Sequence, residues 1–322
     1  MPEGERPYSF LVAGAGALGS AIGGMLRLAG HDVTLLGRNA AHLDAVRERG
    51  LHLAGLWGER IVQGLGLARS ALEAPEVDYV LVTTKSFDTE GILDQVVPRE
   101  PLAQFVTLQN GLGNLEAVAR RVGESRTIGG MVIIGFALVR PGEVAVTVYG
   151  GEVELGRPPP LGGPDTDPPL EALVQAMNAA GIPARATDNI RGAIWGKVLY
   201  NCALNALGAV LRVPYGELAA EGALAVIRDV VREAFAVARA EGVELPWPDA
   251  ETYLNVLVSR QIPATAAHRA SMLQDIERGR RTEIEHLNGA IARLGAAHGV
   301  PTPVNSVLAA LVRFMEMRGR GE

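Results

Sequence analysis

Lys197, Asn201 and Asn205 recur at intervals of four, the spacing that places side chains on one face of an α-helix. Their neighbours Ile194, Val198 and Leu204 are apolar, so the stripe reads as a polar ladder facing a cleft rather than as a solvated surface. Of the 30 basic residues only two are lysines, Lys85 and Lys197. With arginine supplying ordinary surface charge, a retained lysine can supply what arginine cannot: a compact ammonium whose pKa falls on burial until it donates a proton. Hydride addition to a ketone builds negative charge on its oxygen, and a poised ammonium both stabilises that charge and delivers the proton. Lys197 is therefore the candidate general acid. Asn201 and Asn205 are candidates to hold it and the substrate, although amides at this spacing also serve to bond one helix to another.

A second polar cluster runs from Ser271 to Glu283. One unbroken helix would separate these two residues by about 18 Å, too far for both to hold one small substrate. Gly279 offers a break, and Thr282 with Glu285 has the T-x-x-E form of a capping box that would start a new helix. On this reading Glu285 is structural. Glu283 lies free in a positive first turn that favours its charge, as an acceptor for a substrate hydroxyl. A surface carboxylate favouring a helix start is the plain alternative. His286 is a competing acid but stands among charges with no visible partner, and ranks below Lys197. The six histidines and one cysteine show no metal-ligand spacing, and Cys202 reads as a small core residue.

These groups need a scaffold and a hydride source. The first half of the chain alternates apolar strands (8–13, 31–36, 77–83, 105–108) with amphipathic helices, the pattern of a doubly wound parallel sheet. Directly after the first strand come Gly14, Ala15, Gly16, Ala17, Leu18 and Gly19, a G-x-G-x-x-G turn opening a helix, where a pyrophosphate can meet the exposed N–H groups. The second strand ends in Gly37-Arg38-Asn39 and lacks the acid that usually takes the ribose hydroxyls of NAD, so Arg38 is positioned for a 2′-phosphate and NADPH is the expected cofactor. Lys85 and Asn110 follow later strands at their carboxyl ends, where open α/β sheets bind ligands; an ordinary loop lysine is an equal reading of Lys85. Strands of another kind are expected at 132–134 and 142–148, with a turn at Pro141-Gly142, in a hairpin or meander. The Pro/Gly-rich stretch 157–169 reads as an excursion within the same domain, because a helix (170–180) and a strand (182–187) follow it.

From Asn189 onward the signal is helical, giving an N-terminal Rossmann-like dinucleotide-binding domain over 1–188 and an all-helical C-terminal domain over 189–322. The net charge of -6 argues against nucleic acid as a partner. No apolar run is read as a membrane span, and residues 1–7 lack the features of a secretory signal. A single cysteine precludes an intrachain disulfide and fits a reducing compartment, so a cytoplasmic location is expected, with a homodimer as a candidate assembly.

The glycine turn, Val82-Thr83-Thr84-Lys85, Asn110-Gly111-Leu112-Gly113, the run from Ile194 through Trp195-Gly196-Lys197 to Asn205, and Ser271-Met272-Leu273-Gln274-Asp275 through Thr282-Glu283-Ile284 together resemble the ketopantoate reductase family over nearly the whole chain. The resemblance implies NADPH-dependent reduction of 2-dehydropantoate to (R)-pantoate, a step toward pantothenate and coenzyme A. By it, Lys197 matches the general acid and Glu283 the acid that orders the substrate hydroxyl. Ser271, Asn201 and Asn205 match substrate contacts, Asn110 and Lys85 positions beside nicotinamide and substrate, and Arg38 the 2′-phosphate contact. Two other readings share these residues: reduction of a different small 2-oxo acid, and a non-catalytic NADPH sensor.

Overall fold

The computed structural model describes residues 6–160 and 167–320, and there it divides into two units, 1–109 with 114–190 and 110–113 with 191–322. The division thus falls after Ile190 rather than after 188, and the short segment following the strand at 104–107 groups with the helical unit. Part of the expected excursion, 161–166, and the first five residues lie outside the described residues.

In the first unit an eight-stranded sheet has the order β12-β11-β8-β7-β6-β1-β2-β5. The strands are β1 Ser9–Ala13, β2 Asp32–Leu36, β5 Gly66–Ala68, β6 Tyr79–Val82, β7 Gln104–Thr107, β8 Thr127–Met131, β11 Val153–Gly156 and β12 Ala184–Ala186. Every pairing is parallel except β11 with β8. Strand β6 shows why its sequence is continuously apolar: Tyr79 and Leu81 pack on the face covered by α1 (Ala17–Leu28) and α5 (Pro168–Ala179). Val80 and Val82 face α3 (Thr89–Val96) and α4 (Asn114–Val122). Strand β1 lies between β2 and β6, so the order reverses there, and the carboxyl end of β1 is the topological switch point.

A second sheet, β4-β3-β10-β9, joins β3 Leu51–Gly55, β4 Arg60–Val62, β9 Ile134–Arg140 and β10 Glu143–Tyr149, with α2 Ala40–Arg49 preceding it in the chain. The expected hairpin is present as β9 and β10 around Gly142, whose φ of 80° suits the turn. The strand expected at 132–134 is not: Val132 and Ile133 carry the chain out of one sheet and into the other. The excursion at 157–169 has its two ends tied together, since the Arg157 guanidinium, 6% exposed, bonds Asp167 at 2.5 and 2.9 Å.

The second unit contains α6 Ile190–Leu211, α7 Glu221–Ala240, α8 Ala250–Val256, α9 Ile262–Ala264, α10 Ser271–Glu277, α11 Asn288–His298 and α12 Pro303–Arg320. By length and composition alone α6 could cross a bilayer, contrary to the expectation that no run would; yet 61% of its most apolar window is buried. Trp195, Leu199, Cys202, Ala203 and Ala206 put it at the centre of a helical core. The N-terminus of α12 is capped from another helix: Glu233 accepts from the N–H groups of Val304 and Asn305, each at 2.9 Å.

Candidate functional site

Each glycine of the first turn has a separate physical reason. Gly14 has φ 128°, and a Cβ there would lie 2.5 Å from the Thr84 nitrogen, so the turn closes tightly over the end of β6. A Cβ on Gly19 would fall 2.3 Å from the Gly14 carbonyl oxygen, which lets α1 pack hard against the turn. Gly16, by contrast, faces open space, and as the first residue ahead of α1 it provides no side-chain cap. The helix N–H groups are thus presented to a bare surface, the arrangement that accepts a pyrophosphate. Thr83 steadies the turn by donating to the Gly14 carbonyl at 2.9 Å. The residues present therefore fit a dinucleotide.

At the end of β2 no carboxylate occupies the ribose position. Asn39 caps α2 by accepting from His42 N at 3.2 Å, while Arg38 stands 84% exposed and pairs with Asp88 at 2.5 Å. Lys85 is exposed just ahead of a 3-10 turn, Ser86–Asp88. A polar network that sequence reading did not detect anchors this turn. Gln109 donates to the Thr84 carbonyl at 2.9 Å and to Thr89 Oγ1 at 2.8 Å, Thr89 donates to the Ser86 carbonyl at 2.8 Å, and Asn114 donates to Ser86 Oγ at 3.0 Å. Its members are 20 to 28 residues apart where they bridge, so no local pattern announces them.

In the helical unit, Lys197 projects from α6, partly buried, and donates to the Asn110 amide oxygen. The Asn110 amide nitrogen in turn reaches Glu283 Oε2 at 3.4 Å. Burial pushes the Lys197 ammonium down from the ordinary 10.5 to about 8, with the Glu283 carboxylate pulling the other way. Three residues from separate parts of the sequence, Lys197, Asn110 and Glu283, are thus brought together, with a neutral amide against the ammonium and the carboxylate one residue further out. An ammonium lowered in this way can donate a proton near neutral pH.

One turn on, the Asn201 amide forms no hydrogen bond of its own among the described residues and remains open to a ligand. Asn205 is committed: its oxygen accepts from the Met272 N–H and its nitrogen donates to Ser271 Oγ, both at 3.1 Å. Ala270 offers no cap to α10, so Asn205 caps it from across the core and fixes the exposed Ser271 at its start. Asn288, fully buried, donates to the Cys202 carbonyl at 3.2 Å and so ties α6 to the segment that follows Glu283.

The expected capping box at Thr282 and Glu285 does not form. Gly279, at φ 63°, follows the end of α10 as expected, but the next helix begins only at Asn288, after a 3-10 turn at Ile284–His286. Thr282 Oγ1 accepts from Ile284 N, two residues on; its own N–H goes to Glu316, and Glu285 is drawn outward to Arg313. Glu283 is therefore not in a helical first turn, and its electrostatic partner is the Lys197 ammonium. His286, expected to lack a partner, bonds the Leu112 carbonyl at 3.1 Å. Cys202 is fully buried as expected, and burial pushes its thiol far up.

A glycine turn of dinucleotide-binding form on one unit, and on the other a lysine ammonium with lowered pKa beside an amide and a carboxylate, define a nicotinamide-dependent oxidoreductase. Comparison with known proteins refines the class. Residues 10–160 match the family model "Ketopantoate reductase PanE/ApbA" and residues 189–316 match "Ketopantoate reductase PanE/ApbA C terminal". The 2-dehydropantoate 2-reductase of Aquifex aeolicus is 35% identical, covering 96% of this chain and 97% of that protein; that of Pyrococcus horikoshii is 33% identical, covering 96% and 98%. Among solved structures, a PanE/ApbA family ketopantoate reductase from Ralstonia eutropha superposes with a TM-score of 0.87 at 35% identity, covering 97% of this chain and 99% of its own. D-mandelate dehydrogenase, solved with NADH and anilino(oxo)acetate, superposes with a TM-score of 0.85 at 28% identity and the same coverage. The chain belongs to the ketopantoate reductase family.

Proposed function

We propose that this protein reduces 2-dehydropantoate to (R)-pantoate with NADPH, a step toward pantothenate and coenzyme A, with Lys197 as the general acid. The observation that carries the reading is the partly buried Lys197 ammonium, which donates to the Asn110 amide oxygen beside Glu283 and which burial lowers to about 8. The bound cofactor supplies the hydride to the ketone carbon; the turn at Gly14, Gly16 and Gly19 would hold its pyrophosphate and Arg38 its 2′-phosphate. As charge gathers on the ketone oxygen, a Lys197 N–H bond breaks and an O–H bond forms. The neutral amine left behind is stabilised by the same burial that lowered its pKa. Asn201, with its amide uncommitted, and Ser271, fixed by Asn205, are assigned to the carboxylate end of the substrate. Glu283 is assigned as acceptor for its hydroxyl. The single buried Cys202 fits a cytoplasmic, reducing location.

The direct test is loss of reduced-nicotinamide absorbance with purified protein, 2-dehydropantoate and either NADPH or NADH. Rapid NADPH-selective oxidation supports the reading; NADPH binding with no turnover of any oxo acid moves the protein to a sensing role. A second substrate reading has support in the likeness to D-mandelate dehydrogenase and in the Arg38–Asp88 pair, which engages the proposed phosphate ligand. Under it, an aryl 2-oxo acid with NADH would outrun 2-dehydropantoate with NADPH in the same assay.

The cofactor assignment makes its own prediction. Arg38→Ala weakens NADPH binding by about tenfold, a charge-assisted contact discounted for exposure, and leaves NADH binding unchanged. Asp88→Asn frees the guanidinium and tightens NADPH a few-fold, again without effect on NADH. Fluorescence titration of both cofactors reads the result, and equal losses for NADPH and NADH in Arg38→Ala would sink the assignment.

A further inference from the structure

We propose that His286 is a positioning residue for the proton-donor site, holding the segment 110–113 so that Asn110 stays against Lys197; the inference rests on the proposed role of Lys197. The turn bearing Glu283 and His286 grips this segment at both ends. At one end the Asn110 amide nitrogen reaches Glu283 Oε2 at 3.4 Å. At the other, the Leu112 N–H donates to the His286 carbonyl at 2.8 Å, and the His286 ring nitrogen Nδ1 stands 3.1 Å from the Leu112 carbonyl. A carbonyl only accepts, so Nδ1 carries the proton and donates. Between these two points Gly111 has φ 86°, and a Cβ there would fall 2.6 Å from both the Cβ and the carbonyl oxygen of His286. The two backbones are thus in direct contact, and Gly113, also at positive φ, lets the chain turn away.

Asn110 has no helix or strand of its own to hold it. It follows the end of β7 in a bend, and its side-chain oxygen is the acceptor that meets the Lys197 ammonium. Its aim therefore depends on how firmly the Leu112 peptide is fixed, and the imidazole supplies the side-chain part of that fixation. With its Nδ1–H given to a main-chain carbonyl, the imidazole has a structural task in this turn.

The experiment is a double-mutant cycle with Asn110, using the proposed 2-oxo acid and NADPH. His286→Leu keeps bulk and removes the donor. His286→Asn keeps the donor, since the asparagine amide nitrogen takes nearly the place of imidazole Nδ1. We expect His286→Leu to lower kcat about tenfold with NADPH affinity within twofold of the parent, and His286→Asn to restore kcat to within about threefold. In an Asn110→Ala background, His286→Leu should cause no further loss, because its effect travels through Asn110. Unchanged kcat in His286→Leu, failure of the asparagine to restore it, or multiplying losses in the double variant each overturn the inference. Full turnover in Asn110→Ala would overturn it and leave the proton-donor reading to be decided by Lys197→Ala, whereas a large loss there with none in His286→Leu removes His286 alone. Should His286→Leu fail to fold, His286→Ala and His286→Asn compared at the same site carry the test.

Discussion

Lys197→Ala is expected to lower turnover of the proposed 2-oxo acid by about 10³-fold and to leave NADPH affinity within a factor of two, because it removes both the proposed proton donor and the charge proposed to meet the developing oxyanion. In the parent protein kcat/KM for reduction is expected to fall as pH rises through about 8, where the ammonium loses its proton, and that limb should be absent from the residual activity of the variant. Near-normal turnover in Lys197→Ala removes this residue from the acid role. A stability consequence follows with the opposite sign. A lysine held near 8 in the folded chain and near 10.5 when unfolded binds its proton less well in the folded state across that interval. Folding then bears a cost of at most about 3 kcal/mol, fully present below pH 8 and fading as pH rises toward 10.5. Lys197→Met, which fills the same space without charge, should therefore raise the unfolding free energy at pH 7 and lose that advantage by about pH 10.5. Denaturant titration at the two pH values decides it; a variant less stable at pH 7 would mean that burial of Lys197 carries no such penalty.

The parts of this site that the sequence discloses are those whose physics is local. Gly14, Gly16 and Gly19 are readable because a tight turn, an open approach and close helix packing are each demanded within six residues of chain. The Lys197–Asn201 repeat is readable because helical periodicity puts both on one face, and because arginine has displaced nearly every other lysine. What escapes is whatever pairs at a distance. Asn110 meets Lys197 across 87 positions, Asn205 meets Met272 across 67, and Arg38 meets Asp88 across 50. Each partner looks ordinary in its own neighbourhood. Asn205 accordingly reads as a third member of a substrate ladder when its amide is in fact given to the start of α10. The capping box misleads for the same reason: Thr282 and Glu285 have the right spacing, but Glu316 and Arg313 on α12 compete for them and win. Strand β4 of the second sheet and β5 at the edge of the first have three residues each, too few for any period to show, and of the second sheet only the hairpin is legible.

Glu283→Gln tests whether the carboxylate acts through charge as well as by accepting a hydrogen bond. The glutamine oxygen can still accept from the Asn110 amide, so the local hydrogen bonding survives while the negative charge is lost. That charge is what opposes the effect of burial on Lys197. With it gone the ammonium is less favoured, the pKa of Lys197 falls below about 8, and the alkaline limb of the rate profile moves to lower pH. At pH 7 fewer molecules then hold the proton to be donated, and the substrate hydroxyl meets a neutral acceptor instead of a charged one. Together these should lower kcat/KM by about 10- to 100-fold. The two contributions separate in a full pH–rate profile, since the lost hydrogen-bond strength lowers the plateau while the altered Lys197 moves the limb. A lowered plateau with an unmoved limb would leave Glu283 as a substrate contact and end its claim on the proton donor. A moved limb with an intact plateau would make it the electrostatic partner of Lys197 and leave the substrate hydroxyl to another residue.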